Sequence, residues 1–423
     1  MKVTNVGIIG LGTVGVGVYK TLQSFNQICI KKIAVRDLSK KRNIDNFDES
    51  ILTDDALSIV NDPEIDIIVE VVGGVNPVFD LIKVAMKNGK HIVTANKELL
   101  AKHGEELFNL AKDANVVVLY EAAIAGGIPI IMPIKTILGA NRITKIAAIL
   151  NGTTNYILTK MTESEVSYSQ VLKEAQELGY AETDPTGDVE GFDAAYKLAT
   201  LATITFKQRV DINKIYREGI TKISAQDIKH AKEFGYRIKL IALAQLTEDN
   251  KADVRVHPMF VAKKSVLAKI NGVTNAVMLK GEPVGEVMFT GPGAGEMPTA
   301  SSVVGDILAL ATEINESNHP LPMMRCHHEI KAEQVNINET HNQYYISISA
   351  ANNPGAIGLI GTICGKHNIN LASILQKGIN DDNTAEVVVI TALSKESNVR
   401  NAIDELLLSS CINKINSLIR VMN

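Results

Sequence analysis

A run of β-forming residues, 3–9, breaks at Gly10-Leu11-Gly12-Thr13-Val14-Gly15 and is followed by residues 17–22, which suit a helix. No other feature restricts the fold of this chain as much. Gly10 permits a tight turn, Gly12 lets backbone approach a pyrophosphate, Gly15 lets helix and strand pack closely, and the helix N-terminus faces the anion. A second strand, 28–35, ends at Arg36-Asp37, with Lys40, Lys41 and Arg42 close behind. Arginine there accommodates a ribose 2′-phosphate, whereas an acidic residue holds a 2′-hydroxyl. Arg36 therefore favours NADP, and Asp37 leaves NAD open. Strands at 65–71, 91–95 and 116–120, separated by helical stretches at 78–87 and 98–112, complete a doubly wound parallel sheet.

Length and charge bound the rest. With 423 residues, 46% of them hydrophobic, the chain is long enough for two or three cored domains. A net charge of −4 leaves no basic footprint for nucleic acid. No apolar run reaches the roughly 18 residues of a membrane span, and the glycine-punctuated amino terminus lacks a small-residue cleavage pattern. A soluble, cytoplasmic protein is expected. Cys29, Cys326, Cys364 and Cys411 are widely separated, as free thiols in a reducing compartment would be.

Chemistry-bearing residues gather in four places. The segment 175–197 crowds Glu182, Asp184, Asp188, Glu190 and Asp193 ahead of Lys197. Residues 182–191 read as a loop and 192–206 as a helix, so Asp193 and Lys197 share one helical face. Thr94-Ala95-Asn96-Lys97 follows a strand and should lie in the crevice at the carboxyl ends of the sheet. A lysine at a helix start opposes the helix dipole, which favours a functional reason for Lys97. The turn at Gly126, Gly127 and Pro129, with Glu121 nearby, could hold a hard cation through carbonyls or serve as a plain capping loop. After a β-rich run at 143–150, Asn151-Gly152-Thr153-Thr154-Asn155 offers hydroxyls and amides suited to a carboxylate and equally to capping.

Together these residues resemble the homoserine dehydrogenases, in the longer bacterial form with a C-terminal regulatory domain. The likeness runs end to end. Its most specific element is A-x3-G-Y-A-x2-D-P-x2-D-V-x-G-x-D-x3-K, met here from Ala175 through Gly179, Asp184, Pro185, Asp188, Gly191 and Asp193 to Lys197. TANK at 94–97, EAAIAGGIPII from Glu121, LNGTTNYIL from Leu150, and GPGAG at 291–295 support it. The resemblance implies reversible NAD(P)H-dependent reduction of L-aspartate 4-semialdehyde to L-homoserine, in threonine and methionine biosynthesis. By it, Lys197 is the proton donor and acceptor, with Lys97 beside the reacting oxygen. Glu182 and Asp193 hold the substrate ammonium, Gly179 lies against the substrate, and its carboxylate meets backbone near Thr153. The cofactor falls to Gly10, Leu11, Gly12, Thr13, Val14, Gly15, Arg36, Thr94, Lys97, Gly293 and Gly295. A monovalent cation, sodium, is implied on Glu121, Ile124, Gly126 and Ile128.

Absences agree. A thioester-forming enzyme needs a catalytic cysteine, and none lies between Cys29 and Cys326; an imidazole acid is excluded from 104–229, which holds no histidine. His319 and Cys326-His327-His328 lack metal-ligand spacing. The expected architecture is a Rossmann-type domain at 1–135, an α+β catalytic and dimerisation domain at 136–318 whose helix near 299–315 returns to the cofactor domain, a linker at 319–343, and a C-terminal module at 344–423. That module, with strands at 344–350 and 385–392 and helices at 356–367 and 399–408, is similar to a ferredoxin-like ACT domain, which in the family is linked to inhibition by L-threonine. Asn352 stands where many such domains carry aspartate, and Ile357 where leucine is common. A homodimer or homotetramer is expected. A non-catalytic amino-acid-responsive regulator, and a dehydrogenase for another amino-acid aldehyde, are the alternatives.

Overall fold

The computed structural model describes residues 3–42, 44–45, 47–164, 166–316, 330–379 and 384–422. Two compact units share them, and the first is drawn from Met1–Ile146, Tyr196–Asn213 and Thr274–Ala332. Its sheet comprises β1 (Thr4–Ile9), β2 (Ile28–Ala34), β3 (Leu52–Thr53), β4 (Ile67–Glu70), β5 (His91–Thr94) and β6 (Val118–Leu119), in the order β3-β2-β1-β4-β5-β6. Every pairing is parallel. Central strands of such a sheet are covered on both faces, which is why β4 is buried at every position. Strand order reverses between β1 and β4, so the ligand crevice opens beyond their carboxyl ends.

Helix Thr13–Leu22 follows β1 directly. Helix Val78–Lys87 turns Phe79, Ile82, Ala85 and Met86 inward at helical spacing. The long helix Glu296–Glu316 packs on Thr13–Leu22, so closely that a Cβ at Gly17 would meet Ala300 at 2.9 Å. Val303, Val304, Ile307 and Leu310 of that helix join Val6, Ile8, Val18 and Leu22 in one core. Strands Thr274–Glu282 and Gly285–Pro292 form a hairpin in the same unit.

The second unit takes Ala147–Ala195, Lys214–Val273 and Glu333–Asn423. Strands Tyr236–Leu246 and Ala252–Ala262 pair antiparallel over their full length. Strand Ile412–Val421 joins Ala252–Ala262 in parallel through Met259–Arg420 and Phe260–Val421. It carries the sheet on to His341–Ala351, Thr384–Thr391 and Leu371–Ile379. With helices Ala356–Lys366 and Glu396–Leu407, these last four strands make a β-α-β-β-α-β unit in the spatial order fourth, first, third, second, which is the ferredoxin-like arrangement. Its core is Tyr344, Ile346, Ile348, Ile360, Val387, Val389, Val399 and Leu406.

Two local expectations change. Residues 182–191 are not all loop, because Thr186–Val189 closes one helical turn after Pro185, whose ring suits a helix start. The strand placed at 344 begins at His341, because His341 and Asn342 pair with Lys395 and Ser394, and Gln343 with Val421. Partners some 50 and 80 residues away are not visible in the local pattern. His319, Cys326, His327 and His328 lie outside the described residues. Among the described ones, Cys29, Cys364 and Cys411 are thiols, no cluster of His, Cys, Asp or Glu could hold a metal, and no helix is long and apolar enough to cross a membrane.

Candidate functional site

In the first unit the fingerprint turn is built by glycine backbone. Gly10 sits at φ +104°, and a Cβ at Gly15 would lie 2.3 Å from the Gly10 carbonyl oxygen. Nothing stands within 4 Å of the Cβ position at Gly12, so this backbone faces open space. Val16 N–H donates to Gly12 O at 2.9 Å, which leaves the amides of Thr13, Val14 and Gly15 as the outward donors of a helix N-terminus. Leu11 is half-buried and Thr13 exposed beside them. Arg36, at the end of β2, is exposed. Asp37 is turned into its own loop, its carboxylate accepting from Ser39 N–H at 2.8 Å and Ser39 Oγ at 2.7 Å. Those hydrogen bonds hold the Asp37 carboxyl below its usual range.

Where the strand order reverses, a buried acid that the motifs did not reveal organises two strand ends. Glu70 accepts from Val72 N–H and Gly73 N–H, both at 2.9 Å, and from Thr94 Oγ1 at 2.5 Å. Thr94 Oγ1 in turn accepts from Asn96 N–H, and Asn96 caps helix Lys97–Asp113 by accepting from Leu99 N–H at 3.0 Å. Thr94 and Lys97 are thus set by a chain that starts at Glu70. A strand whose last residue is its sole charge, IIVE, was the available signal. Lys97 is half-buried at the first position of its helix. Lys197 belongs to the same unit and is 8% exposed. The two segments are close, since Lys102 Nζ lies 5.7 Å from the ring of Tyr196.

The glycine segments at 126–127 and 291–295 also meet. Gly127 N–H donates to Pro292 O at 3.1 Å, and a Cβ at Gly126 would be 2.4 Å from Gly293 O. Gly293 is itself pressed against the Asn275 carboxamide, and Gly295 sits at φ +119°. Glu121 spends its carboxylate on the backbone N–H groups of Ile130, Ile131 and Met132 at 2.5, 2.7 and 2.8 Å. Its own N–H donates to Asp306, whose carboxyl is driven well above its usual range by complete burial. Ile124 and Ile128 point into the core, and Gly126 O accepts from Ser302 Oγ at 2.7 Å. A cation on this loop would therefore meet carbonyl oxygens.

In the second unit, Asn151 is the hinge of the polar cluster. Its Nδ2 donates to Asp188 Oδ1 at 2.7 Å and Asp193 Oδ2 at 3.0 Å, and its Oδ1 accepts from Thr154 N–H at 2.9 Å. Thr153 Oγ1 lies 2.6 Å from Tyr180 O and 3.1 Å from Asp188 Oδ2. Asn151, Thr153, Asp188 and Asp193 are thereby brought together around a 7%-exposed Asp193. Gly179, at φ +75°, follows the C-cap of helix Tyr168–Glu177, where the left-handed conformation ends the helix. Glu182 is exposed and its carboxylate stands outside the Asn151 network. Asp193 and Lys197 occupy successive turns of helix Phe192–Phe206, at whose second and sixth residues an acid and a base are both nine-tenths buried.

Taken by unit, the geometry offers a dinucleotide pyrophosphate cradle with a buried lysine, and a buried carboxylate held by carboxamide and hydroxyl groups. The first suits a dinucleotide and the second a cationic group. Residues 10–121 match the protein-family model described as "Homoserine dehydrogenase, NAD binding domain", and 129–308 match "Homoserine dehydrogenase". The chain is similar to the homoserine dehydrogenase of Synechocystis sp., 43% identical over 99% of both chains. Among solved structures it resembles a homoserine dehydrogenase from Thiobacillus denitrificans, at TM-score 0.93 and 37% identity over 100% of this chain and 99% of the other. It also resembles a hyperthermophilic archaeal homoserine dehydrogenase in complex with NADPH, at TM-score 0.62 and 28% identity, covering 73% of this chain and 97% of that one.

Proposed function

Because the chain belongs to the homoserine dehydrogenases, NAD(P)-dependent oxidoreductases acting on a CH–OH group, we propose that Lys197 gives and takes the proton in the reversible reduction of L-aspartate 4-semialdehyde to L-homoserine. The observation that carries this is that Asp193 and Lys197, four residues apart on helix Phe192–Phe206, are both buried, with Asp193 held by Asn151. In this reading Asp193 and Glu182 bind the substrate ammonium, backbone near Thr153 meets its carboxylate, and Gly179 lines the site. The nicotinamide, when bound, supplies or accepts the hydride. The chain supplies the rest. Gly10 to Gly15 hold the pyrophosphate, Arg36 the 2′-phosphate of NADP, and Thr94, Gly293 and Gly295 the nicotinamide side. As the carbonyl carbon gains hydride, its oxygen takes a proton from the Lys197 ammonium, and Lys97 steadies the same oxygen.

The functional domains in this reading are 1–135 for the cofactor, 136–318 for catalysis and dimerisation, 319–343 as linker and 344–423 as a threonine-responsive ACT domain. Sodium on the carbonyls of Glu121, Ile124, Gly126 and Ile128 would stiffen the loop against Pro292, and the protein would act as a cytoplasmic homodimer or homotetramer.

The test is steady-state oxidation of L-homoserine with NADP and with NAD, with and without L-threonine, in the natural chain and in Lys197→Ala. Turnover favouring NADP, lost on the order of 10³-fold in Lys197→Ala with NADPH affinity retained, is expected. Unchanged turnover in that variant would remove Lys197 from proton transfer, and insensitivity to threonine would remove the effector role of the C-terminal module.

A further inference from the structure

We infer that Arg217 is a positioning residue for Asp193, and that the C-terminal module acts on substrate affinity through the neighbouring Glu218. This rests on the reading of Asp193 as the ammonium-binding carboxylate.

The turn 189–191 delivers the chain into helix Phe192–Phe206, and Gly191 takes φ +78° to make it. Asn151 fixes Asp193 from one direction. From another, Arg217, Gly219, Ile220 and Thr221 grip the turn. Arg217 Nη1 donates to Glu190 O, and the guanidinium carbon lies 3.4 Å from the centre of the Phe192 ring. Ile220 N–H donates to Val189 O at 2.8 Å, and Thr221 Oγ1 to Glu190 Oε1 at 2.9 Å. Gly219 runs so close that a Cβ there would be 2.4 Å from Val189 O. One planar cation thus spans the last residue before Gly191 and the first residue of the helix, leaving Asp193 little freedom to tilt.

Arg217 is not anchored alone. Tyr216 and Arg217 form a short strand on Ala252–Ala262. The next residue, Glu218, meets Arg420 Nη1 at 3.1 Å and Arg400 Nη2 at 3.3 Å, and also accepts from Tyr216 Oη. Arg420 is fully buried and clasps Glu396 at 2.6 and 2.9 Å, and Arg400 reaches the same carboxylate at 2.9 Å. Two adjacent residues therefore face two clients: Arg217 the substrate turn, Glu218 the ion cluster of the C-terminal helix and strand. The junction is not close-packed. A cavity of about 400 Å³ opens among Glu190, Arg217, Glu218, Arg400, Asn416 and Ser417, so the half-buried arm of the cluster, Glu218 with Arg400, has room to re-pair. A shift of Glu218 moves Arg217, and with it the carboxylate that receives the ammonium.

The experiment is steady-state kinetics on full-length Arg217→Met, Glu218→Gln, the double variant and Asp193→Asn, with Arg217→Lys as the conservative control. Arg217→Met is expected to raise KM for L-homoserine roughly tenfold while kcat and KM for NADP stay within about twofold, because misplacing one binding group weakens substrate more than cofactor. Arg217→Lys should recover part of that loss. Glu218→Gln should move KM the same way by less, and the double variant should add nothing to Arg217→Met, since both act through one contact. An unchanged KM in Arg217→Met overturns the positioning role, and additive effects overturn the route through Glu218. If Arg217→Met does not fold, Phe192→Leu removes the stacked face alone and carries the same expectation. Asp193→Asn separates the two readings: raised KM there with none in Arg217→Met defeats this inference only, whereas unchanged KM in Asp193→Asn defeats the ammonium site itself.

Discussion

The turn at Gly10–Gly15 and the turn at 189–193 are both glycine-bearing bends that lead into a helix, yet they are held by different matter. Gly10 to Gly15 is held by backbone against backbone within six residues, with no room for a Cβ at Gly15. Residues 189–193 are held by side chains that arrive from Asn151, Arg217 and Thr221, with Glu396 and Arg420 behind them. The first device is sensitive to the smallest added atom and indifferent to distant charge. The second answers to both, since a Cβ at Gly219 would lie 2.4 Å from Val189 O.

Substitution can break each device separately. Arg420→Met strips the buried guanidinium from a carboxylate that is 1% exposed, leaving Glu396 only Arg400 and the Tyr344 hydroxyl, and should cost about 3 kcal/mol of stability. Urea unfolding measures it, and NADPH affinity of the folded fraction should be retained; a cost under about 1 kcal/mol would mean that Glu396 takes up another partner or a proton. Gly15→Ala tests the other side. Its Cβ would overlap the Gly10 carbonyl, costing about 1–3 kcal/mol and displacing the pyrophosphate cradle. Calorimetric titration with NADPH should show the loss, with KM for homoserine at saturating cofactor unmoved.

Smaller effects sharpen the contrast. Arg36→Ala should weaken NADPH by about tenfold, one charged contact's worth, and NADH hardly at all; equal losses would refute the 2′-phosphate contact. The smallest expected effect is on acid stability. Burial alone would push the Glu396 carboxyl up, but the hydrogen bond and charge of Arg420, with Tyr344 and Arg400, outweigh it and hold the group below 4.5. A carboxyl depressed in the folded state stabilises above its unfolded value, and that contribution is lost as pH falls through the folded one. The natural protein should therefore lose stability below about pH 4.5 more steeply than Glu396→Gln. Parallel curves would place the acid sensitivity elsewhere.

Much of the fold was legible because its signals are local. Helix Phe192–Phe206 and helix Val78–Lys87 fall at the bounds their periodicity predicts, and β2 ends one residue earlier than expected. Strands Leu371–Ile379 and Ile412–Val421 were implied only by likeness to a β-α-β-β-α-β unit, since their polar and apolar residues do not alternate cleanly. Lys197, Asp193, Thr153, Asn96 and Asn151 all lie in motifs the sequence displays. Glu70 and Asp306 do not, because they do their work on residues 24 and 185 positions away.

What the sequence by itself determined is whatever depends on near neighbours: the glycine turn after β1, the winding of strand and helix, and the placing of Asp193 and Lys197 on one face of a helix. The tertiary structure alone decided which polar groups lose water and which partners they gain. It turned Glu70 from the end of a strand into the organiser of Thr94 and Asn96, and set Arg217 and Glu218 back to back between the turn at 189–191 and the C-terminal ion cluster. The physical reason is that backbone conformation answers to residues a few positions apart, whereas burial and charge pairing answer to whatever the folded chain brings within a few ångströms.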